Sequence, residues 1–423
     1  MTPIRFARLD GWLHWQQSLH PSAIDLGLGR IRRVLDRSGW RRAPHPVITV
    51  GGTNGKGSCV ALLEAMLQAG GYRVGAFTSP HLHDYRERIR LDGRWVSEAS
   101  LVAAFERIAD ALAGESLTFF EFNTLAALLV FETWSPDVAL LEVGLGGRLD
   151  AVNVVDADVA VVVSVALDHM EWLGPDVESI GREKAGIFRH ARPAVCGMPE
   201  PPASLIEVAS EVGAQLFVRE RDFRGVQRDD GGWDYSDAQG VLAALPAPAL
   251  EGPVQIANAA TALAALRQLA QRLPVQRGEI ETGLRSVRLP GRFQRIAGPG
   301  GIEWVLDVAH NPAAAATLLA NLEQYPVSGR TIAVCGMLED KDVTAVLGLL
   351  RHRVDHWFAA STDGARGLSD AALAGRARPI GIEMTPGGPV SEAMRRATSV
   401  SRSGDRILVF GSFHTVGPAL ACV

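Results

Sequence analysis

The chain has 423 residues, more than one ordinary hydrophobic core accommodates, so two domains are expected. It is 47% hydrophobic and 21% charged, as soluble globular proteins are, and its net charge of −5 with scattered Lys and Arg argues against a nucleic-acid binder. Residues 1–13 show no secretory leader, no uncharged apolar run approaches the roughly 18 residues of a membrane helix, and the four dispersed cysteines form no C-x-x-C pair, so a cytoplasmic, reducing location without a membrane partner is expected.

Residues 45–50 (HPVITV) predict a strand, then a Gly-rich turn and a helix over about 56–68. Residues 73–77 predict the next strand, 122–134 a helix, 137–143 (DVALLEV) a strand and 157–165 (ADVAVVVSV) a further buried strand. Continuous Val/Leu runs of this kind suit a parallel sheet covered on both faces, and their alternation with helices argues for an α/β fold. Cys196 and Cys335 sit in apolar strand-like runs and read as buried structural thiols.

Residues 222–253 differ. They carry Gly231, Gly232, Pro246, Pro248 and Pro253 with weak alternation, and read as a small antiparallel excursion on the first domain. A helix over about 255–272 follows. Near residues 287–292 (VRLPGR) the pattern restarts, with strands expected at 303–307, 331–335, 356–360 and 406–410. The expected organisation is therefore a first domain over 1–287 and a smaller α/β domain over 288–423.

Residues 51–58 (GGTNGKGS) join the first strand to the first helix of this α/β pattern. Glycines let backbone N–H groups close around an anion, and a helix N-terminus adds a favourable field. Lys56 suits neutralisation of β/γ-phosphate charge and the Ser58 hydroxyl suits a magnesium ion. The strict Walker pattern is not met, because Gly57 stands between Lys56 and Ser58. A tight turn with an incidental Lys is the plain alternative.

The segment from Gly52 to Ser58 resembles the G-T-N-G-K-G-[ST] loop of folylpolyglutamate synthases, in the Mur ligase superfamily. Other segments agree in order. Residues 78–82 (TSPHL) resemble that family's S-P-H-L motif, residues 183–187 (EKAGI) its E-K-[AG]-G-I segment, and 255–260 (QIANAA) its Q-x-x-N-A-A helix. Residues 290–293 (PGRF) and 307–312 (DVAHNP) resemble its P-G-R-[FM] and D-x-A-H-N-P motifs. Near the N-terminus, 24–28 (IDLGL) and 118–124 (TFFEFNT) resemble segments that contact the pteroate in bifunctional bacterial members. The resemblance spans about residues 20–417, with no matching motif over 200–250.

The resemblance implies a P-loop ATPase-like domain with a mostly parallel sheet and a smaller Rossmann-like C-terminal domain. It implies ligation of L-glutamate to dihydropteroate and to reduced folates with ATP, through an acyl phosphate, by a monomer. ATP contacts are expected from Asn54, Gly55, Lys56, Gly57, Ser58, Cys59, Asn258, Arg292 and Asp307. Magnesium ligands are expected from Ser58, Ser79, Glu142 and His169. Lys56, Lys184 and His310 are expected to act in catalysis, with Lys184 carbamylated to N6-carboxylysine. Pteroate contacts are expected from Asp25, Leu26, Gly27, Leu28, Thr118, Phe119, Phe120, Glu121, Leu149, Asp150 and Ala151. Ser412 and His414 are weaker candidates for the glutamate. Taken singly, each has a structural alternative: a salt-bridge partner for Glu142, a helix cap for Asp307 and Ser412, core packing for Phe119 and Phe120. For Phe122, core packing is the expectation. A peptidoglycan ligase would normally carry an N-terminal domain for its UDP-sugar, and only about 44 residues precede the first strand. A P-loop NTPase without ligase activity is the alternative from another class.

Overall fold

The computed structural model describes residues 5–42, 45–364 and 366–423. The chain divides into two compact units. The larger comprises Met1–His81, Tyr85–Pro248 and Ile256–Val287; the smaller comprises Leu82–Asp84, Ala249–Gln255 and Arg288–Val423. Among the described residues, no helix is long and apolar enough to cross a membrane.

The main sheet of the larger unit is built from β1 (Val47–Gly51), β2 (Val74–Phe77), β3 (Ile89–Leu91), β4 (Arg94–Trp95), β5 (Val138–Glu142), β6 (Val159–Val162), β7 (Pro193–Cys196) and β8 (Gln215–Val218). Its order is β4-β3-β2-β5-β1-β6-β7-β8. The stretch from β2 to β8 is parallel, while β3 and β4 extend one side antiparallel. Every residue of β1, β2, β5 and β6 is buried, which is why these strands read as unbroken apolar runs. Val50 pairs with Glu142 and Gly51 with Val162, so the ends of β5, β1 and β6 lie side by side.

The predicted strand over 157–165 is strand only from Val159 to Val162. Beyond that point its polar groups turn to the loop after β1: Thr53 N donates to Ser164 O at 2.8 Å and Ser164 Oγ donates to Asn54 O at 2.9 Å. The predicted helix over 122–134 begins earlier, at Phe119, because Thr118 and Glu121 form a reciprocal capping box. The helix predicted over 255–272 spans Val254–Gln268.

Residues 222–253 form a separate antiparallel sheet of β9 (Phe223–Gln227), β10 (Trp233–Asp237) and β11 (Gly240–Leu245), with Trp233 and Tyr235 fully buried. In the smaller unit, β12 (Gln294–Ala297), β13 (Glu303–Asp307), β14 (Thr331–Cys335), β15 (His356–Ser361), β16 (Met384–Pro389) and β17 (Arg406–Phe410) give the order β12-β13-β17-β14-β15-β16. Only β12 is antiparallel to its neighbour. Cys196 and Cys335 are buried in strands, as their apolar surroundings predict.

Candidate functional site

The polar residues singled out in the larger unit gather at the carboxyl ends of β2, β5, β1 and β6, the edge where ligands bind in open parallel sheets. The loop after β1 is shaped by two glycines. Gly52 has φ +146°, and a Cβ there would lie 3.1 Å from Ser164 N. Gly55 caps the helix Lys56–Ala69 in the left-handed region, φ +83°, and a Cβ there would lie 2.8 Å from Val163 Cγ1 and 2.9 Å from Asn258 Oδ1. Asn258, 4% exposed, is thereby placed against the loop. The loop is also pinned to the segment after β6: Asn54 N donates to Ser164 Oγ at 2.9 Å, and Ala166 N donates to Thr53 Oγ1 at 3.0 Å.

Lys56 Nζ donates to Gly52 O at 3.0 Å and Thr53 O at 3.1 Å, so its charge is held within the loop. Ser58, in the first turn of the helix, is buried. Cys59 lies one residue further into the helix. Its side chain is wholly buried, and its amide donates to Gly55 O at 2.9 Å inside the helix. Burial first, and the Glu142 charge second, push its thiol up to about 12. Its side chain therefore offers no thiolate and belongs to the packing beneath the loop.

Glu142 ends β5 with its side chain buried, and its Oε2 accepts from Ser79 N at 3.0 Å. This bond joins the turn after β2, which contains the cis Ser79–Pro80 peptide, to the neighbouring strand end. His169 follows β6 in the left-handed region, φ +52°, at the start of the helix Met170–Leu173. Its amide donates to Asp168 Oδ1 at 3.0 Å.

Lys184, on the helix Val177–Ala185, is 3% exposed. Burial, then the Lys56 charge, lowers its amine to about 7, against the opposing pull of Asp168 and Asp150. This helix packs on the loop after β5: Arg148 N donates to Glu183 O at 2.8 Å, and a Cβ at Gly147 would lie 2.8 Å from Lys184 O. Asp150 is buried in that loop. It accepts from Leu145 N at 2.8 Å and Val152 N at 3.0 Å, and desolvation raises its carboxyl to about 7 against those amides and Lys56. Ala151 is buried and Leu149 half-buried beside it.

Among the described residues, no group of three or more His, Cys, Asp or Glu side chains is placed to hold a metal. The expected donor set has a different character: two hydroxyls (Ser58, Ser79), one carboxylate (Glu142) and one imidazole (His169). Oxygen-rich, incomplete sets of this kind fit magnesium, which keeps waters and takes phosphate oxygens rather than a protein cage.

The acceptor-side residues form a second group. Asp25 is exposed and Leu26, Gly27 and Leu28 half-buried in the loop before the helix Gly29–Arg37. Thr118 and Glu121 are buried in the capping box. Phe119 stands edge-on to Tyr85 at 6.1 Å, and Phe120 lies 5.8 Å from Phe77. A Cβ at Gly144 would lie within 2.9 Å of three Phe120 ring atoms, so this phenyl packs on the loop after Glu142. Both rings are half-buried, whereas Phe122 is wholly buried against Phe105 and Trp15, as expected of a core residue.

In the smaller unit, Asp307 ends β13 and accepts from Phe293 N at 2.8 Å and Ala309 N at 2.7 Å. Desolvation raises its carboxyl, with Arg292 opposing first. The Arg292 guanidinium lies 5.0 Å above the Phe413 ring. His310 Nδ1 is 2.8 Å from Val308 O. Ser412 caps the helix Phe413–Leu420, accepting from Thr415 N at 3.1 Å, so its hydroxyl has the structural role.

Two participants escaped sequence reasoning. Ser164 fastens the phosphate-type loop; its signal is a lone hydroxyl inside an apolar run. Arg88 is 8% exposed, donates to His81 Nδ1 at 2.8 Å and offers its carbonyl to Thr78 N. Nothing local distinguishes it from neighbouring arginines.

A family profile described as Mur ligase, glutamate ligase domain, matches residues 291–413. The dihydrofolate synthase/folylpolyglutamate synthase of Escherichia coli (strain K12) is 45% identical over 430 residues, covering 100% of this chain and 97% of that protein. A solved structure of E. coli FolC in complex with DHPP and ADP superposes with a TM-score of 0.93 at 45% identity, covering 99% of this chain and 98% of that one. A bifunctional folylpolyglutamate synthase/dihydrofolate synthase with Mn, AMPPNP and L-glutamate bound gives 0.90 at 44% identity, covering 100% and 99%.

Proposed function

This chain belongs to the dihydrofolate synthase/folylpolyglutamate synthase family, and on that premise we propose that it joins L-glutamate to the carboxylate of dihydropteroate and of reduced folates at the cost of ATP. The observation that carries this reading is the convergence of a Gly-shaped anion loop, Ser79, Glu142, His169 and a buried Lys184 on the carboxyl end of one parallel sheet.

A carboxylate resists an amine because it is negatively charged and has no good leaving group. In the proposed reaction a pteroyl carboxylate oxygen attacks the γ-phosphorus and ADP leaves. The glutamate amine then attacks the acyl carbon, loses a proton, and expels phosphate carrying one former carboxylate oxygen. The loop amides and the N-terminus of Lys56–Ala69 hold phosphate, and Lys56 exchanges its Gly52 and Thr53 carbonyl partners for phosphate oxygens. Asn258 lies against that loop for the base, and we assign Arg292, Asp307 and His310 of the smaller unit to nucleotide contacts. Ser58, Ser79, Glu142 and His169 would hold a divalent cation, which would supply charge neutralisation at the phosphates. We assign Asp25 to Leu28, Thr118 to Glu121 and Leu149 to Ala151 to the acceptor.

Lys184 is proposed to be carbamylated. A buried amine lowered to about 7 is neutral in a large fraction at physiological pH, and reaction with CO₂ replaces an unfavourable buried cation with an anion facing Lys56. A cytoplasmic setting is proposed because three of the four cysteines are buried free thiols and the fourth is free and exposed.

The test is phosphate release with MgATP and L-glutamate, adding dihydropteroate or tetrahydrofolate separately. Acceptor-dependent release with both supports the two activities. Release with tetrahydrofolate alone leaves only the polyglutamate activity, and ATP turnover indifferent to acceptor and glutamate would point to a non-ligating NTPase.

A further inference from the structure

The two acceptor segments lie far apart in sequence, yet one side chain ties them together. Arg30, in the first turn of the helix Gly29–Arg37, has a side chain only 17% exposed. Its Nε lies 2.9 Å from both carboxylate oxygens of Glu121 and donates to Oε2. Its Nη1 and Nη2 donate to Asp25, to the carboxylate Oδ2 and to the main-chain oxygen. A guanidinium suits this because its donors point along fixed, divergent directions, which an ammonium cannot reproduce.

The Glu121 carboxylate is thereby polarised into two unlike oxygens. Oε2 accepts from Thr118 N at 2.8 Å, from Thr118 Oγ1 at 2.9 Å and from Arg30. Oε1 is buried and takes part in no hydrogen bond. Its nearest charge is the same Arg30 Nε at 2.9 Å, so the guanidinium compensates both buried oxygens. On the main-chain side, the bond to Asp25 O fixes the backbone of the loop carrying Leu26 to Leu28.

We propose that Arg30 is a positioning residue for acceptor recognition, locking Asp25 and Glu121 into one unit so that the loop before Gly29–Arg37 and the capping box of Phe119–Trp134 meet the pteroyl group together. This rests on the assignment of Asp25 and Glu121 to the acceptor.

The test is steady-state kinetics of Arg30→Gln, Glu121→Gln and the double variant, with Arg33→Gln as the control. Arg33 lies on the same helix but pairs outward with Glu115 at 2.6 Å. Arg30→Gln is expected to raise KM for dihydropteroate by about tenfold while kcat, and KM for ATP and glutamate, stay within about twofold. Arg33→Gln is expected to change none of them. The double variant is expected to be no worse than Glu121→Gln alone, because the two residues act as one unit. Normal dihydropteroate KM in Arg30→Gln alongside a raised KM in Glu121→Gln overturns the proposal alone. A normal KM in Glu121→Gln and in Asp25→Asn overturns the acceptor assignment beneath it. Should Arg30→Gln fail to fold, Arg30→Lys keeps the cation without the fork; a folded Arg30→Lys with normal dihydropteroate KM overturns the proposal.

Discussion

The phosphate-type loop and the proposed acceptor face are built by different means. The loop is held mainly by backbone geometry: glycine dihedrals, the helix it opens, and bonds to the adjacent strand end in which the Ser164 and Thr53 hydroxyls also share. The acceptor face is held by side chains from distant segments, with Arg30 reaching 91 residues along the chain to Glu121. A site made of backbone geometry leaves a compact, ordered signature in sequence. A site made of long-range ion pairs does not, and its parts can be altered one at a time.

The contrast sets an order of expected effects. Lys56→Ala removes the one cation held inside the loop and is expected to lower kcat/KM by about 10³ or more in the phosphate-release assay, for every acceptor alike. An acceptor-selective loss would break the division between the two regions. Gly55→Ala forces a Cβ into a left-handed position 2.8 Å from Val163, and a loss of about 10²-fold with a raised ATP KM is expected; dihydropteroate KM in the same variant should hold.

Lys184 gives a pH-resolved prediction. Its amine is lowered to about 7, so the neutral, CO₂-reactive form predominates above that value and fades below it. At equal dissolved CO₂, protein depleted of it should regain activity faster at pH 8 than at pH 6, with a gain of one CO₂ in intact mass. Equal recovery at both, or no mass gain, would remove the carbamate. The smallest effect is expected at Cys59: Cys59→Ala should leave the ATP KM within about twofold, since the thiol is neutral and sealed beneath the loop. A larger rise would show that the side chain itself matters to the nucleotide.

The same physics explains what the sequence disclosed. Central strands such as β1 and β5 are buried on both faces, and their apolar runs announced them. Missed strands lie at or near sheet edges. Both residues of β4 are exposed, β12 alternates with half its residues exposed, and β16 carries Pro386 and Pro389, tolerable only where a ladder hydrogen bond is not required. The helix start at Phe119 is legible in Thr118 and Glu121, whose capping box is compatible with the pteroate contacts expected of them. At the site, residues in ordered motifs were found where strand ends place them. Arg30 and Ser164 are not legible locally because they reach partners far along the chain, whereas Arg88 pairs with nearby His81 and is simply indistinguishable from the arginines beside it.

The central claim is that ATP activates the acceptor carboxylate for attack by glutamate. It is tested most directly with dihydropteroate labelled with ¹⁸O in its carboxylate, turned over with MgATP and L-glutamate. One labelled oxygen should appear in the inorganic phosphate for each dihydrofolate formed. Unlabelled phosphate, with product still made, would contradict the acyl phosphate and the account built on it.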